Sequence, residues 1–176
     1  MGIAVVIGGM LVAIIINSAG LYSKESSKLS EGLNTNNILS TIRATIKQSS
    51  GIIASQSLGG VSYTTGSTKI VLKLSSIDTS NNLIENTYDY FIFYSDTNKL
   101  RLKTFPDGQS SRKSQDQIFS TSVNNLTFQY FNSANPPVEV IPNLATTVRL
   151  TLSLKQNNGP LVEVKTSTSE ARLRND

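Results

Sequence analysis

Lys99, Arg101 and Lys103 stand at a two-residue spacing, and no other cations in the chain are better placed to do chemistry together. In an extended strand, alternate residues project from one face at steps of about 6.8 Å, which makes a strip able to contact phosphates or other anions. The plainer reading is a solvated sheet face, or an edge guarded by charge. Arg112 and Lys113 follow in the next loop. Among the acids, Glu85, Asp89 and Asp96 could be imagined as an acid/base pair. Asp89, however, stands between Tyr88 and Tyr90 in a strand, turn chemistry accounts for Asp96, and no second glycosidase motif accompanies them. Asp78-Thr79-Ser80-Asn81-Asn82 offers oxygen ligands. It lacks the Gly at the sixth position and the Glu at the twelfth that a calcium loop needs, so it reads as a turn. Asn125-Leu126-Thr127 matches a glycosylation sequon, but a core strand is a poor acceptor.

The chain of 176 residues contains no Cys and no His. Ser-His-Asp and Cys-His nucleophile arrangements, thiolate or imidazole zinc sites and disulfides are thereby excluded. The sequence therefore predicts no catalytic residue, no cofactor, no metal site and no enzyme activity. Only 16% of residues are charged, the net charge is +4, and the excess is spread along the chain. A basic isoelectric point alone is weak evidence for nucleic acid. The surface is furnished instead by 25 Ser, 17 Thr and 16 Asn, an uncharged polarity suited to an extracellular or cell-surface protein.

Three segments organise the chain. Residues 1–23 carry no charge, and Ile3–Ile16 reads IAVVIGGMLVAIII. Val, Ile and Leu occupy all faces of such a helix, and Ile3, Val5, Val6, Ile7, Met10, Leu11, Val12, Ile14, Ile15 and Ile16 are the expected membrane or filament contacts. As a helix, this segment extends roughly 35 Å, long enough to span a bilayer core of about 30 Å. No Lys or Arg precedes the run, which argues against a signal peptide. Residues 24–50 are expected to continue as an amphipathic helix, with Leu39, Ile42 and Ile46 packing on a sheet and Gly51 as its cap.

Residues 51–176 change to a period of two. Alternation at Ile70–Leu74, Leu100–Leu102, Leu126–Tyr130, Val148–Leu154 and Val162–Val164, with YDYFIFY at Tyr88–Tyr94, describes half-buried strands. Ser95–Asn98 and Gln156–Pro160 are hairpin turns, and Thr104–Gln117 and Asn132–Pro142 are irregular loops, the first expected to be mobile. The expected fold is α+β: a long N-terminal helix packed on a single antiparallel sheet.

An apolar N-terminal helix, an amphipathic extension and an antiparallel sheet together resemble the type IV pilin superfamily. IAVVIGGMLVAIII is similar to the body of a prepilin helix. The strands IVLKLSSID, TYDYFIFYSD and KLRLKTF within Ile70–Phe105, Val123–Tyr130 (VNNLTFQY) and the ending Glu170–Asn175 (EARLRN) resemble W-type minor pilins of type IV pili and J-type pseudopilins of type II secretion. The resemblance implies a structural subunit acting in filament initiation or at the tip. Its implied partners are other pilin or pseudopilin subunits, an inner-membrane assembly platform and the lipid bilayer. It also implies a single-pass position in a bacterial cytoplasmic membrane, with the globular domain outside the cytoplasm and a pilus or cell-surface location after assembly. Prepilins open with a basic leader ending in Gly and then Phe-Thr-Leu-x-Glu, and the chain has neither. The expectation is that Met1 is an internal Met and that about two helical turns lie upstream. The alternative function is a secreted or membrane-anchored surface module, an adhesin or DNA-binding domain.

Overall fold

Residues 34–48 form a helix, α1, in the computed structural model, which describes residues 34–158 and 161–173. Its buried positions are Thr35, Ile38, Leu39, Ile42 and Ile46, followed by Ser49 just beyond its end. That spacing places one stripe on a core while Asn36, Ser40, Arg43 and Lys47 face outward. The helix stops on Ser49, whose N–H and hydroxyl both donate to the Ile46 carbonyl, at 3.2 and 2.7 Å. Gly51, expected as the cap, is already the first residue of a strand.

Ten strands follow. They are β1 (Gly51–Ile52), β2 (Ser55–Leu58), β3 (Val61–Thr64), β4 (Lys69–Ile77), β5 (Leu83–Asp96), β6 (Lys99–Phe105), β7 (Gln115–Ser120), β8 (Val123–Phe131), β9 (Thr147–Asn158) and β10 (Leu161–Arg172). Pairing is antiparallel throughout. The strands divide into a five-stranded sheet of order β1-β4-β5-β6-β7, a three-stranded sheet of order β10-β9-β8, and the β2-β3 hairpin. The α+β class with a helix packed on strands is therefore what the chain adopts, but hydrogen bonding makes three sheets where one was expected. The break falls where β8 pairs with β9 and only touches the ends of the five-stranded sheet, Val123 donating to the Asn98 carbonyl and Phe128 to that of Ser67.

One core joins the helix to both larger sheets. Ile38, Leu39, Ile42 and Ile46 of α1 meet Ile70, Leu72, Phe93 and Leu100 from the five-stranded sheet, and Leu126, Phe128, Val148, Leu150 and Leu152 from the other. The strand alternation follows directly, since every second residue of β4, β6, β8 and β9 points inward. A smaller cluster of Tyr63, Val71 and Ile92 lies on the outer face of the five-stranded sheet, beneath the β2-β3 hairpin. The hairpin turns through Gly59 and Gly60, both at positive φ, and a side chain at Gly59 would come within 3.3 Å of the Phe105 ring.

The expectation of a membrane-spanning helix, and of the single-pass cytoplasmic-membrane location drawn from it, is corrected. No helix among the described residues is long and apolar enough to cross a membrane. The described part of α1, 15 residues, extends about 22 Å, and its outward face is polar. Ile3, Val5, Val6, Ile7, Met10, Leu11, Val12, Ile14, Ile15 and Ile16 lie outside the described residues, as does the N-terminal part of the expected long helix.

Candidate functional site

The outer face of the five-stranded sheet carries the cations. Register places Lys69 of β4 beside Tyr94 of β5, Arg101 of β6 and Ile118 of β7 in one cross-strand row. Val71, Ile92, Lys103 and Asp116 form the next row, and Lys73, Tyr90 and Phe105 the third. Lys99 is exposed at the start of β6, opposite Asp96. The expected strip of Lys99, Arg101 and Lys103 is thus one edge of a wider surface that includes Lys69 and Lys73.

Carboxylates hold much of that strip. Asp116 accepts from both Nε and Nη2 of Arg101, at 3.2 and 2.9 Å, and lies 3.7 Å from Lys103 Nζ. Asp96 is 3.8 Å from Arg101. The hydrogen bond to Asp116 raises the Arg101 guanidinium above its ordinary pKa. At Lys103 burial acts to lower the ammonium, but Tyr63, Tyr94 and Asp116 outweigh it and leave the pKa raised. Lys69 and Lys73 lie over aromatic rings: Lys73 is 3.5 Å from the Tyr88 centroid, and Lys69 is 5.5 Å from Tyr63 and 5.8 Å from Tyr94. Ring faces covered by ammonium groups are poor platforms for base stacking. Sequence reasoning missed Asp116, because Gln115–Ser120 has no two-residue alternation and read as the tail of a loop.

A second cluster centres on Asp89. Its side chain is fully buried on the inner face of β5, opposite Leu74. Ser76 Oγ donates to it at 2.7 Å, Ser110 Oγ at 2.8 Å and the Asp107 N–H at 2.9 Å, and Arg112 completes the set with an ion pair. Arg112 also donates to the Ser75 carbonyl at 2.7 Å. Burial alone would raise the carboxyl pKa; the bonds from Asp107, Arg112, Ser76 and Ser110 outweigh it and hold the pKa below the usual 3.8. This carboxylate is saturated by donors and has no lone pair aimed at solvent, so it acts as an anchor rather than as an acid/base group. Thr104–Gln117, expected to be an irregular, mobile loop, is strand at both ends, and its segment 106–114 is tied to β4 and β5 through this carboxylate.

The other sequence candidates are used locally. Asp78 accepts from the N–H groups of Ser80 and Asn82, each at 2.8 Å, and these bonds, with that of the Asn82 amide, hold its pKa low. Asn125 is exposed on β8, where its amide donates to Thr127 Oγ1 at 3.2 Å. Glu85 is exposed near the start of β5. Leu39, Ile42 and Ile46 lie in the main core, and Ile46 borders Val148, Leu150 and Ala171. Thr104 Oγ1 is buried without a hydrogen-bond partner. Among the described residues, no group of three or more Asp or Glu is placed to hold a metal ion. Neither a family model nor a curated protein matches the chain.

Proposed function

We propose that the chain is a non-catalytic structural subunit of the pilin or pseudopilin type, built to pack into a filament with other subunits of that kind. The observation that carries the reading is the stripe Ile38, Leu39, Ile42 and Ile46, by which an amphipathic helix is laid on a shared core of two antiparallel sheets. The saturation of Asp89 and the pairing of Arg101 with Asp116 also support it, since both leave the polar clusters in structural roles. The finer fold reading belongs to the same proposal: a long N-terminal helix ending at residue 48, of which α1 is the sheet-packed part, with the sheets serving as one platform. Mass spectrometry and immunogold labelling of sheared surface filaments test the proposal. The expected result is the chain within the filament fraction; its absence from every filament preparation overturns the reading.

Recognition of a polyanion is the second reading, favoured by Lys69, Lys73, Lys99, Arg101 and Lys103 sharing one sheet face. Asp116→Ala should then raise the salt concentration needed to elute the chain from immobilised heparin. Unchanged elution removes this reading.

A further inference from the structure

We infer that the groove between α1 and β10 is the seat for a second copy of this chain, entered by its extended segment 138–140 with Glu139 opposite Arg43. The inference rests on the assembly reading above and names a contact within it. The groove, of about 410 Å³, is walled by Asn36, Leu39, Ser40 and Arg43 from α1 and by Ser167, Thr168 and Ser169 from β10. Arg43 is its one charged lining residue, and among the described residues it makes no ion pair. β10 ends the sheet order, so one side of the strand pairs with β9 and the other is an open row of backbone donors and acceptors among the described residues. An open edge beside a helix invites an extended segment, which adds main-chain hydrogen bonds while its side chains enter the groove.

Segment 138–140 has the matching features. The Asn132 N–H donates to the Val138 carbonyl at 3.0 Å and the Val140 N–H to the Tyr130 carbonyl at 2.9 Å, with Glu139 bridged to Phe131. These bonds fix one side of the segment to the end of β8, and strand alternation turns the N–H and C=O of Glu139 to the opposite, open side. Glu139 is exposed and unpaired among the described residues. Around it Val138, Ile141 and Leu144 are 52%, 61% and 62% exposed, a run of aliphatic surface suited to burial by a partner. Among the described residues, other exposed carboxylates are already engaged: Asp96 and Asp116 by Arg101, Glu170 by Arg149 at 2.6 Å, Asp78 by its own turn. Glu85 competes, but it adjoins Asn86 at φ 56, where the strand is distorted. Because groove and segment are different surfaces, the contact is head-to-tail and propagates instead of closing a two-fold dimer.

Sedimentation of the full chain tests this. Arg43→Glu and Glu139→Arg should each weaken self-association by about tenfold or more. An equimolar mixture of the two variants should restore it, since both interface pairings are then of opposite charge. Glu85→Arg should leave it unchanged. The chain has no cysteine, so mixing Ser40→Cys with Glu139→Cys variants and adding a short thiol cross-linker should yield a linked dimer specific to this contact. Association that ignores both charge reversals, or responds to Glu85→Arg instead, overturns the contact and leaves the assembly reading standing. A chain monomeric at every concentration also overturns the contact, and the filament fraction then decides the broader reading separately.

Discussion

Asp89 and Arg112 form an ion pair across 23 residues of sequence, with the Asp89 carboxylate fully buried. The pair fastens segment 106–114 to the strand that carries Asp89, and Ser110 and the Asp107 N–H complete the same attachment. Removing one partner of a buried pair leaves the other without compensation. Asp89→Ala should therefore cost about 3 kcal/mol or more in urea denaturation, with faster amide exchange across 106–114. A loss below about 1 kcal/mol would show that the attachment contributes little.

The same carboxylate sets an acid limit. Its pKa in the folded chain is held below the ordinary 3.8, so its contribution to stability is complete above that value. The contribution is lost as pH falls below 3.8 and through the folded-state pKa. Denaturation midpoints measured between pH 2.5 and 6 should fall at the acid end in the wild type and less steeply in Asp89→Asn. Parallel curves for the two proteins would assign the acid sensitivity to other groups.

Helix docking depends on a few aliphatic side chains. Ile42 has no exposed surface in the core shared by α1 and both larger sheets. Ile42→Ala should destabilise by about 2–5 kcal/mol, through lost transfer energy and the cavity left behind. Thr41 is exposed on the outer face, its hydroxyl donating to the Asn37 carbonyl, and Thr41→Ala should stay within about 0.5 kcal/mol. Equal effects at the two positions would contradict the one-sided burial of α1.

Thr104 offers a gain instead of a loss. Its buried hydroxyl lacks a partner, and Val has the same shape without the polar atom. Thr104→Val should raise stability by about 1 kcal/mol in the same denaturation assay. A loss of that size would mean the hydroxyl is satisfied in solution.

Particular residues mark how far the sequence could be read. Ile70, Leu72 and Leu74 declare β4 because a strand with one wet face must alternate, and Val148–Leu154 declare β9 for the same reason. The three- and four-residue spacing of Leu39, Ile42 and Ile46 declares a helix stripe. The short strands β1, β2, β3 and β7 carry no such pattern, and residues 115–118 of β7 in particular are exposed at a sheet edge, where nothing selects alternation.

The cation strip at Lys99, Arg101 and Lys103 was visible from spacing alone, whereas its carboxylate at Asp116 was not. Local periodicity determined the helix stripe at Leu39, Ile42 and Ile46 and the apolar side of β4, β6, β8 and β9, because those depend on neighbours a few residues apart. Only the tertiary structure decided that the strands form separate sheets, that Asp89 is an anchor, and that Arg101 is held by Asp116. Those outcomes depend on register and on burial between distant segments. A charge or hydroxyl has no fixed role until packing decides whether water or another side chain meets it.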